Sequence, residues 1–224
     1  LSKVNMNLEC IELPYSSEDK GEVFARLKKL VAENDIHGIL TVGHIDELST
    51  AADWKEIGNQ GIAVVVINSE HRFSDCLCCV LPEYEVIGRT MAELITSNIP
   101  GFGSIFLCAG NPKWDAHALV VKGFKDYLEE NKCTNLVYKN HSWTMDEINY
   151  VNIFQEVSRP DVAACCSVYS QGTILLGQAL EESGKAGRVY AVGSDLSDVT
   201  ADRIRRSVLN TVIQKNPYAQ GYVG

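Results

Sequence analysis

One run of residues limits the possible folds of this chain more than any other. From Gly61 to Asn68 the sequence reads Gly-Ile-Ala-Val-Val-Val-Ile-Asn, a continuous apolar stretch rich in β-branched side chains. Such a strand has no side that can face water, which is typical of parallel sheets covered by helices on both faces. Because apolar strands alternate with amphipathic helical segments along the whole chain, we predict an α/β fold with parallel sheets flanked by helices.

The predicted elements form two series, separated by the Pro- and Gly-rich segment 99–103. Strands are predicted at Leu8–Leu13, Gly38–Val42, Ile62–Ile67, Cys78–Leu81, Ser104–Cys108, Leu136–Lys139, Val162–Ser167, Arg188–Val192 and Thr211–Gln214. Helices are predicted at Glu18–Glu33, Thr50–Asn59, Tyr84–Ser97, His117–Glu130, Asp146–Val157, Gly172–Ser183, Ala201–Arg206 and from Tyr218 onward.

The charge balance argues against one class of partner. The 224 residues hold 20 Lys and Arg against 29 Asp and Glu, a formal net charge of −9. Nucleic-acid binding needs a basic face that neutralises phosphates, so we do not expect these residues to contact DNA themselves. No apolar run is long enough to cross a bilayer, and we predict no membrane insertion.

Eight cysteines stand at positions 10, 76, 78, 79, 108, 133, 165 and 166. Several lie in or beside apolar strands, where a free cysteine behaves as a small hydrophobic residue. The cluster Cys76-Leu77-Cys78-Cys79 has no second Cys/His pair at zinc-site spacing, so we predict reduced thiols and no metal. Unpaired cysteines are commoner in a reducing compartment, which favours a cytoplasmic protein over an exported one.

The common catalytic motifs are missing from the sequence. It has no Gly-Lys-Ser/Thr phosphate loop, no Gly-x-Ser-x-Gly nucleophile turn and no His-Glu-x-x-His pair. No close Cys/His pair stands in the context of an activated nucleophile. We therefore predict that the protein is not an enzyme and needs no cofactor.

Two polar residues follow predicted strands late in the chain. Asp195 follows the strand that ends near Val192, and Gln214 precedes the segment Pro217–Gly221, whose sequence is Pro-Tyr-Ala-Gln-Gly. Small ligands of α/β sheets bind at the carboxyl ends of strands. A carboxylate and an amide there suit a polyhydroxylated ligand, because together they accept and donate hydrogen bonds. A cap or turn role for Asp195 and a backbone-bonded linker role for Gln214 remain as alternatives.

With these residues the end of the chain resembles the type I periplasmic-binding-protein fold. Ribose- and galactose-type receptors share that fold with the effector domains of lactose-repressor (LacI) type regulators. Further likeness lies in Asp161–Ala164, Tyr169–Gly172, Leu176–Leu180 and Gly123–Leu128. The resemblance implies two similar Rossmann-like lobes joined by a hinge, lobe one at 1–99 plus 216–224 and lobe two at 100–215. It also implies that the chain is truncated at both ends relative to the family's domain.

The resemblance implies ligand contacts from Asp195, Gln214, Trp143, Asn68 and Tyr169. Trp143 stands where family members often place an aromatic side chain over a sugar ring, although packing between a loop and a helix is an equal alternative. Asn68 stands where sugar receptors commonly have Asp, and Tyr169 where they commonly have Asn.

Val120 stands where many members have an Arg that anchors the ligand, a role that valine cannot fill. His117 and Asp115, in the same segment, could compensate, and a solvated loop capped by Asp115 is the alternative. His44, after the strand Gly38–Val42, is a further candidate, with an exposed loop as its alternative.

From these features we predict non-catalytic binding of a small polar ligand, a sugar, in a cleft between the lobes. The predicted role is the effector-sensing domain of a bacterial LacI-type transcription regulator. Such a protein would be cytoplasmic, would bind DNA only through a helix-turn-helix absent from this sequence, and would be a homodimer by resemblance. The alternatives are the solute-binding receptor of an ABC sugar transporter, which would be extracytoplasmic or periplasmic, and the ligand-sensing domain of a signalling kinase.

Overall fold

The computed structural model describes residues 9–14, 22–43, 45, 48–69 and 76–224. Its helices are α1 (Glu22–Glu33), α2 (Ala51–Gly58), α3 (Tyr84–Thr96), α4 (Asp115–Glu130), α5 (Glu147–Ser158), α6 (Ser170–Glu182), α7 (Asp198–Arg205) and α8 (Pro217–Val223). Its strands are β1 (Gly38–Val42), β2 (Ala63–Ile67), β3 (Cys78–Val80), β4 (Ser104–Cys108), β5 (Leu136–Asn140), β6 (Val162–Ser167), β7 (Tyr190–Ser194) and β8 (Thr211–Ile213). Among these residues no helix combines the length and the apolar character that a membrane span requires.

The chain divides into two compact units. Unit one consists of Leu1–Pro82 and Asn216–Gly224, and unit two consists of Glu83–Lys215. The sequence predicted the first boundary at residue 99. The structure places it between residues 82 and 83, so that α3 belongs to unit two.

Two glycines explain why α3 belongs with α4. A Cβ atom on Gly88 would lie 2.0 Å from the carbonyl oxygen of Val120, and one on Gly123 would lie 2.0 Å from the carbonyl oxygen of Glu85. Glycine at both positions therefore lets the two helix backbones touch. The salt bridge between Arg89 of α3 and Glu130 of α4 adds to this contact.

Unit one contains a parallel sheet in the order β1-β2-β3. Val64 and Val66 of β2 are almost completely buried. They belong to a core with Phe24 of α1 and Trp54 of α2, whose rings meet edge to face with centroids 5.1 Å apart. The continuous apolar run thus forms the central, covered strand that its composition predicted.

The first predicted strand is not present in the part of it that the structure describes. Residues 9–14 form neither a strand nor a helix. Ile11 is about half exposed, so the apolar alternation of this segment does not produce a buried face. An alternating apolar pattern predicts a strand only weakly when no neighbouring strand pairs with the segment.

Unit two contains a five-stranded sheet in the order β5-β4-β6-β7-β8, with every adjacent pair parallel. All five side chains of β4, which lies between β5 and β6, are buried. Cys108, Cys165 and Cys166 are completely buried, and this burial raises the pKa of each thiol. These three cysteines are small core residues, as their apolar surroundings predicted.

Candidate functional site

The carboxyl ends of the five parallel strands of unit two lie along one side of its sheet. We call the loops after these ends, residues 109–114, 141–146, 168–169, 195–197 and 214–216, the carboxyl edge of unit two. Side chains after neighbouring strands are brought within reach of one another, because adjacent strands lie about 4.8 Å apart. Seven of the eight predicted site residues are described, and six of them belong to unit two.

Four rings form a continuous row along this edge. The centroids of Trp143 and Trp114 are 5.8 Å apart, those of Trp114 and His117 are 5.1 Å apart, and those of His117 and Tyr169 are 5.3 Å apart. We call these four side chains the aromatic row. His117 and Tyr169 are buried at one end, whereas Trp143 at the other end is 41% exposed. Trp143 therefore presents an aromatic surface that a ligand could cover.

Hydrogen bonds fix the buried end of the aromatic row. The Asn111 backbone N–H donates to Nδ1 of His117 over 3.0 Å, so that ring nitrogen is an acceptor and carries no proton. Gly110 has a φ of 64°, and a Cβ there would lie 2.4 Å from the same Nδ1. The Tyr169 hydroxyl donates to the carbonyl oxygen of Ser142 over 2.8 Å. Burial raises the pKa of this hydroxyl, which keeps it neutral and able to donate.

Asn149 holds the loop that carries Trp143. Its Nδ2 donates to the carbonyl oxygen of Thr144 over 2.6 Å, and its Oδ1 accepts from Nδ2 of Asn140 over 2.7 Å. Its backbone N–H donates to Oδ1 of Asp146, which caps α5. Asn149 is almost completely buried although it lies on a helix. Asn149 was not among the predicted site residues, because a polar residue three positions after a helix cap is only a weak indication of a site residue.

Asp195 lies directly after β7 and forms an ion pair with Lys215. Nζ of Lys215 is 3.1 Å from Oδ2 of Asp195, and the two side chains are 14% and 33% exposed. The Asp195 backbone adopts a left-handed φ of 66°, and its N–H donates to the carbonyl oxygen of Ile213 over 2.9 Å. Ser197, not Asp195, caps α7. The carboxylate is thus held at the carboxyl edge by β8 and is not used as a helix cap.

Two residues that interact with Asp195 were not among the predicted site residues. Lys215 could have been noticed as a basic residue one position after the predicted contact Gln214. Tyr84, the first residue of α3, is the second. Burial is the main reason that its pKa is raised, and the negative charge of Asp195 adds to the effect. No local pattern connects Tyr84 to Asp195, because the contact depends on the packing of α3 within unit two.

Gln214 lies directly after β8, and its amide oxygen has a structural partner. Oε1 of Gln214 accepts from the backbone N–H of Leu196 over 2.7 Å. This bond joins the loop after β8 to the loop after β7. Only the NH₂ group of this side chain can then donate to a ligand.

The remaining predicted residues have separate positions. Asp115 is the first residue of α4 and is exposed; Trp114 occupies the N-cap position, so Asp115 does not cap the helix. Asn68 follows β2 in unit one with a φ of 64°, and its N–H donates to the carbonyl oxygen of Val80 over 3.1 Å. Its ligand contact stays a prediction. His44 lies outside the described residues.

The carboxyl edge combines two kinds of surface. The aromatic row follows β5, β4 and β6, and the Asp195–Lys215 pair follows β7 and β8. Since β6 and β7 are neighbours, Tyr169 at the buried end of the row follows the strand next to the one that carries Asp195. An aromatic face binds C–H groups, while the charged pair and the Gln214 amide can exchange hydrogen bonds with hydroxyls. Within the described ranges no three His, Cys, Asp or Glu side chains converge as metal ligands.

Comparison with known proteins places the chain among ligand-binding domains. The sequence model of the family described as the periplasmic binding protein domain matches residues 40–224. No curated protein sequence matches the chain significantly.

Several solved structures have a similar fold. An ABC transporter periplasmic solute binding protein from Actinobacillus succinogenes 130z with bound D-allose superposes with a TM-score of 0.79 at 15% identity, over 93% of this chain and 75% of that chain. GanP, a glucose-galactose binding protein from Geobacillus stearothermophilus, gives 0.75 at 20% identity, over 90% and 72%. An ABC transporter solute binding protein from Agrobacterium vitis bound with α-D-tagatopyranose gives 0.73 at 15% identity, over 90% and 70%. At these identities the likeness establishes the fold.

Proposed function

The chain belongs to the periplasmic binding protein domain family, as its sequence predicted, and we propose that it binds a sugar, without catalysis, at the carboxyl edge of unit two. The observation that carries this proposal is that the aromatic row and the Asp195–Lys215 pair follow strands of one sheet at the same edge. A sugar presents apolar C–H faces and a rim of hydroxyls, so it needs both kinds of surface from one site.

The exposed end of the aromatic row gives the sugar ring its platform. Trp143 is part of a loop fixed by Asn149 and by the hydroxyl of Tyr169. Because these partners are buried, the indole is held in place before a ligand arrives. A preformed site loses less conformational entropy on binding than a mobile one.

The charged pair gives the site its polar selectivity. Asp195 can accept hydrogen bonds from sugar hydroxyls, and such charge-assisted bonds are stronger than neutral ones. Lys215 adds donors and neutralises the carboxylate, which lowers the cost of holding both groups mostly out of water. The NH₂ group of Gln214 adds one more donor beside them.

The biological role that the comparisons favour is the solute-binding receptor of a sugar ABC transporter. Two of the structural neighbours named above are solute binding proteins of ABC transporters, and each of the two holds a monosaccharide. A receptor of this kind would be extracytoplasmic.

A second role, the effector-sensing domain of a LacI-type regulator, is supported by a different observation. All eight cysteines are unpaired in the structure, which suits a reducing compartment. The coding sequence upstream separates the two roles: a secretion signal would support the receptor, and a helix-turn-helix would support the regulator.

A thermal-shift screen tests sugar binding itself. A panel of monosaccharides, disaccharides and polyols should include a compound that raises the melting temperature, because a ligand of the native state stabilises it by mass action. Asp195→Ala should abolish that shift. Asp198→Ala removes the same charge from an exposed position three residues away and should keep it. A panel without any shift, or equal shifts in both variants, would refute the proposed site.

A further inference from the structure

A pair of cysteine thiols lies outside the proposed ligand site, in unit one. Sγ of Cys76 and Sγ of Cys79 are 3.8 Å apart, and the two residues have the spacing Cys-x-x-Cys. Cys79 is an exposed residue of β3, whereas Cys76 is half-buried and packs against the core of unit one. The third cysteine of this segment, Cys78, is the strand neighbour of Cys79, so their side chains leave the strand on opposite faces.

The geometry suits one disulfide and disfavours the others. A disulfide needs its sulfur atoms about 2.0 Å apart, so Cys76 and Cys79 would have to approach by about 1.8 Å. A bond from Cys76 to Cys78 is disfavoured because the Cys78 side chain leaves β3 on the face opposite to that of Cys79. The pKa of Cys76 is raised by burial and by the neighbouring Cys79. The exposed Cys79 is therefore the thiol that an oxidant reaches first.

We propose that Cys76 and Cys79 form a reversible disulfide by exchange with a small-molecule disulfide such as oxidised glutathione. The Cys79 thiolate attacks one sulfur of oxidised glutathione, forms a mixed disulfide and releases one glutathione thiolate. The Cys76 thiolate then attacks the Cys79 sulfur and releases the second. The protein loses two thiol protons and two electrons, and oxidised glutathione becomes two molecules of reduced glutathione.

This bond would act on the end of the sheet in unit one. Cys79 is paired with Val66 of β2, and two residues further on the N–H of Asn68 donates to the carbonyl oxygen of Val80. Closing the disulfide would restrain Cys76 and Leu77, which lead into β3. Through the hydrogen bonds between β3 and β2 it would also restrain the carboxyl end of β2. The inference depends on unit one alone and does not require that the chain bind a sugar.

Thiol counting and peptide mapping test the proposal. The reduced native protein is incubated with oxidised glutathione, and the free thiols are counted after unfolding. We expect the count to fall from eight to six without retained glutathione mass, and to return to eight with dithiothreitol. Differential alkylation of the tryptic peptide that carries all three clustered cysteines should label Cys78 before reduction and Cys76 and Cys79 only after it.

Three serine variants separate this pair from general thiol oxidation. Cys78→Ser should still lose two thiols. Cys79→Ser should lose no thiol in this segment. Cys76→Ser should keep a glutathione adduct on Cys79, because the thiol that would displace the glutathione is missing. Retention of all eight thiols, a stable adduct in the unmodified protein, or a bond that includes Cys78 or Cys10 would overturn the proposal. The mapping of the unmodified protein decides the matter even if a variant fails to fold.

Discussion

Replacement of Trp143 by Ala should weaken sugar binding without destabilising the fold. Trp143 is 41% exposed, which leaves about 100 Å² of a full Trp surface of about 250 Å² for a ligand to cover. At about 25 cal/mol per Å², complete coverage would contribute about 2.5 kcal/mol, and partial coverage about 1 kcal/mol. Loss of that contact should raise the Kd by between about 5-fold and about 70-fold.

Isothermal titration with the sugar that gives the largest thermal shift measures this change. The variant should also show a less negative heat-capacity change on binding, because less apolar surface is removed from water. Phe102→Ala is the matched control, since Phe102 is 75% exposed and precedes β4, at the opposite end of the same sheet. An unchanged Kd in Trp143→Ala, or an equal loss in Phe102→Ala, would refute the aromatic platform.

Three further predictions concern the scaffold of the site. Gly123→Ala should destabilise unit two by about 3 kcal/mol, because the added Cβ would meet the backbone of α3. Gly58→Ala is the control: its Cβ would have nothing within 4 Å, so it should not destabilise the protein, and urea unfolding gives the stability of both variants. Asn149→Ala should cost about 1–3 kcal/mol of stability, measured in the same way, and should weaken sugar binding through the released Trp143 loop. The free energy of unfolding should fall as the pH rises above about 9, because buried thiols of raised pKa stay protonated in the folded protein and ionise once it unfolds. Each such thiol contributes up to about 1.4 kcal/mol per pH unit. Urea unfolding under reducing conditions should therefore show a smaller dependence of stability on pH in Cys165→Ala.

Strands β4 and β6 were among the most predictable elements, and the position of α3 was the least predictable. The limits of β4 and β6 are those that their apolar runs predicted, because composition reports burial directly. The limits of α3 were also predicted to within one residue. Its membership in unit two was not, because that depends on the close approach of two helices at Gly88 and Gly123, 35 positions apart. A glycine in a helix indicates that another part of the chain approaches the helix backbone closely, but the sequence does not identify that part.

The same difference between local pattern and packing explains the outcome at the end of β8. The sequence predicted an amide, Gln214, and a carboxylate, Asp195, at the ends of two strands, and the structure shows that the residue after Gln214 reaches the carboxylate. Successive residues of an extended chain point to opposite sides, so a register of one residue decides which side chain meets β7. With Lys215 on that side, Gln214 turns to the backbone of Leu196. An ammonium in place of an amide gives the site a charged donor, which favours ligands with clustered acceptor oxygens and disfavours cationic ones. Lys215→Gln replaces this ammonium by an amide. The thermal-shift panel should then show a weaker preference for ligands with clustered acceptor oxygens and less discrimination against cationic ones.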